Sequence, residues 1–265
     1  MKKILTFFLF FVLLGLAKLA LADPIEDVTP TGIGFSMGVW VSPNFSGFVK
    51  AGAGGTLISL RDNLGLANQT FLVPEIWWRF SHGQILDFRY SQMNETVTQT
   101  LSAPQTFEGI FFPSGQPATT HLELQWGDLS YELPIYYDTF PPQKDYLNVV
   151  ADLKILRGVF TITNGNGSLG EHNPIAVPFP ELGLHGKFRV GDGTALEFKT
   201  TGIFAGFEDA VGYSYDLEGG VTQFFGRNVE LGAKYRNFTF YNRDASGNIF
   251  SFRFYGPELD AKVYF

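Results

Sequence analysis

The chain has 265 residues, a net charge of -7 and no cysteine, which excludes a disulfide scaffold, a thiol nucleophile, cysteine-ligated metal and lipid attachment to an N-terminal cysteine. The acidic balance leaves no basic footprint for nucleic acid, so no partner of that kind is expected. The 28 Phe, 11 Tyr and 4 Trp are more rings than a soluble core easily hides, yet mean hydropathy is only +0.05. A membrane β-barrel reconciles the two, because aromatic girdles sit at both interfaces while every second residue faces a polar lumen.

The first element is a targeting segment. Lys2 and Lys3 precede the apolar run ILTFFLFFVLLGL, and Ala20-Leu21-Ala22 ends it before Asp23. This is the pattern of a cleaved secretory signal, so residues 1–22 are set apart from a single barrel domain at 23–265. Its removal takes away Lys2, Lys3 and Lys18 and deepens the charge from -7 to -10.

Beyond it no apolar window approaches the roughly 18 residues of a transmembrane helix. The recurring signal is period two, the signature of strands. Ten segments follow in chain order: 33–50, 69–80, 84–95, 119–135, 146–160, 177–190, 194–206, 211–225, 228–241 and 249–265. The alternation is clearest in 194–204, where Leu196, Phe198, Thr200, Gly202 and Phe204 share one face and Glu197 and Lys199 lie on the other. Leu182, Leu184, Gly186, Phe188 and Val190 oppose His185, Lys187 and Arg189 in the same way, and Leu147 to Ile155 oppose Asn148, Asp152 and Lys154.

The connections alternate between compact and long. Turns at 81–84, 138–145, 190–193 and 225–228 are short and rich in turn formers, whereas those near 51–68, 96–118 and 161–176 are long, with shorter ones near 207–210 and 242–248. That asymmetry is the one expected of an outer-membrane barrel with both termini in the periplasm. The expected fold is therefore all-β, a closed antiparallel transmembrane barrel of ten strands, or of eight if an early hairpin lies outside it.

Two places break the pattern. Leu122, Leu124 and Trp126 share one parity and Leu129, Tyr131 and Leu133 the other, which predicts a bulge near Gly127. Pro178 and Pro180 cannot donate to a ladder, which predicts an irregular start to the sixth strand.

The last residues, ELDAKVYF, place Leu259, Ala261 and Val263 at alternating positions before the C-terminal Phe265. This resembles the terminal strand of outer-membrane β-barrel proteins, and the resemblance implies that Val263 and Phe265 are an assembly signal read by the barrel-assembly machinery. At superfamily level the chain is similar to small barrels of the OmpA and OmpW type. The implied location is the Gram-negative outer membrane, with its lipid as the surrounding partner.

With the apolar parity outward, the other parity lines a lumen. It holds Glu75, Arg79, Asp87 and Arg89 from the early strands, Asp152 and Lys154, then Lys187, Arg189, Glu197 and Lys199, then Asp216 and Glu218, and finally Glu230, Lys234, Arg236, Glu258, Asp260 and Lys262. Both signs interleave, so an internal salt-bridge network is expected. A charge turned toward lipid instead costs roughly 2–4 kcal/mol at the midplane. Ten strands lie near the filled end of the size range, so the expected role is structural or that of a narrow, porin-like channel.

The resemblance also carries an alternative, a lipid-modifying enzyme of the lipid A hydrolase or acyltransferase type or a surface ligand-binding barrel. Four histidines could serve such chemistry: His82, His121 beside Thr119, Thr120 and Glu123, His172 beside Glu171 and Ser168, and His185 with Glu181 as its expected hydrogen-bond partner. No residue is assigned a catalytic role. No H-E-x-x-H spacing occurs, so neither metal nor cofactor is expected. The loop 102–120 holds Phe107, Phe111 and Phe112 and suits either a fold over the mouth or a ligand surface.

Overall fold

The computed structural model describes residues 32–265 apart from 53, 81–82, 138–144, 165–168, 208–209 and 227, with the backbone alone at 137, 169–177 and 207. The signal segment, His82 and most of the 138–145 turn lie outside the described residues.

Fourteen strands are formed: β1 (Gly32–Trp40), β2 (Asn44–Lys50), β3 (Ile58–Ser59), β4 (Phe71–Arg79), β5 (Ile85–Thr100), β6 (Gln105–Phe107), β7 (Ile110–Phe112), β8 (Pro117–Tyr137), β9 (Tyr146–Asn164), β10 (Leu169–Gly191), β11 (Thr194–Phe207), β12 (Ala210–Phe225), β13 (Val229–Arg243) and β14 (Ile249–Tyr264). Among the described residues there is no helix. Antiparallel pairing runs β1-β4-β5-β8-β9-β10-β11-β12-β13-β14, and β14 returns to β1. The result is a closed ten-stranded barrel with no free edge in its lower wall, which removes the edge that would otherwise invite aggregation.

Both described chain ends and the short turns lie at one end of the barrel, called here the terminal end; the long connections lie at the other, the loop end. The first wall strand, expected to run unbroken over 33–50, is interrupted at 41–43. β1 pairs with β14 through Gly34↔Tyr264 to Trp40↔Glu258, and β2 resumes on the same strand through Asn44↔Tyr255 to Lys50↔Ile249. Ser42 sits at φ 41 and Pro43 lacks a donor, so the break is built from residues that suit a kink.

The bulge expected near Gly127 is absent. β8 keeps an unbroken register with β5 from Ile85↔Glu132 to Thr100↔Pro117, and its irregularity against β9 lies at Pro134/Tyr136. The parity of apolar residues changes there for another reason. Leu122, Leu124 and Trp126 are buried inside the barrel, whereas Leu129, Tyr131 and Leu133 are outward and exposed. The strand is regular, and the surroundings on its two faces exchange.

The same exchange recurs around the wall. On β9, Val149, Leu153 and Ile155 are outward while Leu156, Phe160 and Ile162 are inward; on β13, Tyr235 is outward while Phe238 and Phe240 are inward; on β14, Leu259 is exposed while Phe250, Phe252 and Phe254 are buried. Toward the terminal end the barrel is apolar outside and charged inside. Toward the loop end it is apolar inside, and outside it turns polar on β5, with Gln92, Asn94, Thr96 and Thr98 exposed, although Phe48 and Phe204 stay exposed on β2 and β11. Nine residues of belt, such as 182–190, rise about 20 Å for strands tilted by about 40°.

The strands also run further toward the loop end than their composition suggests. β5 continues to Thr100, β9 to Asn164 and β10 begins at Leu169, so much of the expected loops at 96–118 and 161–176 is ladder. Polar outward residues there look like loop in the sequence because that wall lacks the apolar alternation of the belt. Pro178 and Pro180 fall within β10 instead of disturbing its start; they are aligned with Ile155 and Leu153 of β9, and the register shift lies at His172/Ile175. The β10–β11 ladder stops at Leu182↔Gly202, although β11 continues against β12 to Phe207↔Ala210. Above Leu182, β10 is paired on one side only, the setting in which strand prolines are tolerated.

Candidate functional site: the barrel lumen

In the terminal half, alternate inward positions of every wall strand carry the charges, and the barrel is narrow enough for them to meet across it. Arg89 on β5 reaches Glu218 on β12 through two hydrogen bonds of 3.0 and 3.2 Å. Lys199 on β11 reaches Asp87 at 3.1 Å and Glu132 at 3.2 Å on the opposite side. Lys262 and Lys234 converge on Glu197 at 2.9 and 3.1 Å, and Lys187 bonds Glu230 at 2.6 Å. These spans of wall are held by charge-assisted bonds, which are roughly twice as strong as neutral ones.

Higher up, Lys154 binds Asp128 at 2.6 Å and lies 3.5 Å from Asp216. Arg236, fully buried, binds Asp216 through Nε at 2.9 Å and through Nη2, and extends Nη1 toward Glu258 at 3.5 Å. Of the charges expected in the lumen, Arg79 and Arg189 stand apart at the terminal rim: Arg79 lies over the Tyr146 ring at 5.7 Å and Arg189 contacts Asp145. Asp152 accepts from Ser130 at 2.8 Å and lies 3.6 Å from Lys154. Asp260 lies 3.8 Å from Lys234, and Glu75 lies 3.7 Å from Arg89.

The expected His185–Glu181 pair is not made. His185 Nδ1 contacts both Glu132 oxygens at 2.9 Å, while Nε2 faces the Tyr146 hydroxyl at 3.1 Å and Glu197 at 3.3 Å. Glu181 instead accepts from Thr201 at 2.6 Å. Asn148 lines the lumen on the expected inner face of β9, whereas Asp128, Ser130 and Glu132 of β8 line it unexpectedly. The signal was available: they share the parity of Asp152 and Lys154 across the ladder, but the supposed bulge at Gly127 hid that phase.

Above the charges the interior turns apolar. Trp40, Phe71, Trp126 and Phe254 form one layer, with Trp126 stacked on Phe254 at 5.7 Å and Phe71 edge-on to Trp126 at 5.5 Å. The long connections fold down onto it. Ile58, Leu60, Leu64 and Leu66 of the first are buried, as are Phe107 and Phe112 of the β6–β7 hairpin, with Phe107 edge-on to Phe160 at 5.1 Å. Thr56 and Thr106 tie the two connections together by mutual hydrogen bonds of 2.9 and 3.0 Å. Only Phe111 of that loop's three rings remains outside, 60% exposed.

The two halves join through cations on rings. Arg236 lies over Trp40 at 4.9 Å and Lys154 over Phe238 at 5.0 Å, so each cation has carboxylates below and an aromatic face above. In the charged half one cavity of about 30 Å³ opens near Tyr146, His185 and Lys262, and another of about 10 Å³ lies beside Asp152 and Lys154. The first is space for about two waters and the second for one.

Among the described residues, those weighed for enzymatic chemistry do not assemble. His121 is on the outer face and bonds Thr96 at 2.9 Å, Thr119 bonds Thr98 at 2.8 Å, Thr120 points inward, and Glu123 is engaged by Gln125. The side chains of His172 and Glu171, and the whole of Ser168, lie outside the described residues. Among the described residues no group of His, Asp or Glu is arranged to hold a metal ion.

No family model and no curated protein matches the chain. Solved structures do. The outer membrane protease OmpT of Escherichia coli aligns with 92% of this chain and 100% of its own, at 12% identity and a TM-score of 0.57. The toluene transporter TodX of Pseudomonas putida aligns over 89% and 90% at 8% identity, with a TM-score of 0.34. At such identities the likeness concerns the fold, and the chain has the closed antiparallel barrel fold of outer-membrane proteins.

Proposed function

We propose that the protein is an integral barrel of the Gram-negative outer membrane whose closed lumen gives it a structural role instead of an open channel. The observation that carries this reading is the layered interior: paired charges span the terminal half, and the Trp40–Phe71–Trp126–Phe254 layer with the inturned connections seals the loop half. The outward apolar belt supports insertion, since hydrocarbon is the one surroundings in which that surface is not a liability. In the same reading the termini and short turns face the periplasm, the signal at 1–22 is cleaved, and the half with a water-facing exterior projects beyond the outer leaflet.

The assembly role of Val263 and Phe265 belongs to this proposal. Phe265 donates its backbone N–H to Ile33 at 3.0 Å and leaves its ring 60% exposed, so the aromatic terminus sits beside the closing β1–β14 seam and accessible to a partner.

Two measurements test the proposal. Envelope fractionation is expected to find the protein only in the detergent-extractable outer membrane with heat-dependent gel mobility; release with periplasmic fluid overturns it. Purified protein in planar bilayers is expected to show no discrete steps. Steps that change on Asp152→Ala or Lys199→Ala would establish the narrow-channel alternative.

A further inference from the structure

We propose that the outward face of β13, β14 and β2, just beyond the apolar belt, binds the phosphorylated headgroup of a membrane lipid, with Arg253 as its anchor. The inference rests on the membrane reading above and adds a specific partner to it.

The first observation is a contrast in charge pairing. The buried lumen cations Arg89, Lys154, Lys187, Lys199, Arg236 and Lys262 each meet a carboxylate. Among the described residues Lys50, Arg243 and Arg253, clustered at the loop end, meet none, and neither do the scattered Arg61, Arg79 and Arg157; Arg243 and Arg253 are exposed and Lys50 is half-buried. Asp244 neighbours Arg243 but turns both oxygens into its own turn, accepting from Ser246, Asn248 N and Asn248 Nδ2. The face is left with positive charge that the protein does not neutralise.

The second is arrangement. Ile249 is paired with Lys50 on one side and Arg243 on the other, which sets the two cations about 10 Å apart across three strands. Arg253 lies four residues along β14 on the same face, about 13 Å away. Its guanidinium is already positioned: Nε donates to Asn237 Oδ1 at 2.9 Å and the group lies 4.8 Å over the Tyr255 ring. Both terminal nitrogens of the fork are thereby free to take two oxygens of a phosphate.

The third is what lies beneath. Tyr235 and Leu259, 55% and 44% exposed, continue the same outward face toward the terminal end. A ligand that satisfies Arg253 from the aqueous side while laying an acyl chain along Tyr235 and Leu259 is a lipid and not free phosphate, because phosphate alone leaves that apolar surface untouched.

The test uses full-length protein in dodecyl maltoside with bisphosphorylated lipid A, its dephosphorylated form, or inorganic phosphate, read as retained adducts by native mass spectrometry. The expected result is retention of the phosphorylated lipid at least tenfold above the dephosphorylated one, lost in Arg253→Gln/Arg243→Gln and partly kept in Arg253→Lys, with heat-dependent gel mobility unchanged. Equal retention of the two lipids overturns the inference, as does retention of inorganic phosphate to the same extent as the lipid. Flotation with neutral phosphatidylcholine vesicles separates the two levels: protein that does not float refutes the membrane reading, and protein that floats yet shows no phosphate preference refutes this site alone.

Discussion

The guanidinium of Arg236 lies 4.9 Å from the centre of the Trp40 ring, and this contact marks the plane at which the barrel's interior changes from paired charge to packed rings. Arg236 is bound below by Asp216 and Glu258 and covered above by Trp40, so it has no water to fall back on. Arg236→Met is expected to take from Glu258 its paired cation and to leave Asp216 with Lys154 alone, lowering stability by about 3–5 kcal/mol. The check is the urea midpoint of unfolding in micelles. A shift no larger than that of an outward substitution such as Gln92→Met would contradict the role given to Arg236.

Parity exchange makes a prediction about two positions on one strand. Leu153 and Thr161 share the outward face of β9, but only Leu153 lies in the belt. Leu153→Arg is expected to cost about 2–4 kcal/mol, as a cation near the bilayer midplane does, whereas Thr161→Arg is expected to be near neutral. Unfolding free energies measured in lipid vesicles test this, and equal costs would place the hydrocarbon boundary elsewhere.

Gly34 is set directly against an indole. A Cβ at that position would lie 2.0 Å from Trp77, whose ring is edge-on to Tyr264 at 5.3 Å. Gly34→Ala is expected to destabilise by about 1–3 kcal/mol through overpacking. Because the clash is with one side chain, Trp77→Leu in the same molecule should recover part of the loss. A double-mutant cycle with no coupling would rule out the contact as the cause.

Trp126 is almost fully buried in the apolar layer. Trp126→Ala is expected to cost about 3–5 kcal/mol by leaving a cavity. Current through planar bilayers should nevertheless stay silent, since the ion pairs beneath still span the barrel. Conductance appearing in this variant would mean that the rings, and not the charges, form the seal.

The legibility of this architecture in the sequence follows its physics. In 182–190 and 194–204 hydrocarbon-suited residues alternate with charges over one full crossing, so period two and lumen membership could both be read. In β8 the alternation persists but its sense reverses at Trp126/Leu129, and a reader assuming one solvent per face must invoke a bulge. Ile58, Leu60, Leu64 and Leu66 were hidden for a different reason: apolar residues in a connection say that it folds onto something, but only the ring layer below supplies the partner. The pairing of His185 with Glu132 in place of Glu181 was equally out of reach, because it depends on which inward residues meet across the lumen.

The β10–β11 ladder halts at Leu182 and Gly202 and the β4–β5 ladder at Glu75 and Arg89, so the barrel is a hoop below and a parted wall above. A hoop can open only by rupturing a complete ladder, whereas a parted wall peels from its margins. Among the described residues no ladder pairing joins β10 and β11 above Leu182 and Gly202; Thr201 of β11 donates to Glu181 of β10 at 2.6 Å beside that point, and Phe179 of β10 packs edge-on to Phe240 of β13 across the lumen at 4.9 Å. Deuterium should therefore enter the amides of Ile203–Phe207 well before those of Ala195–Thr201 on the same strand. The molecule would then breathe along that line while its lower girth stays shut.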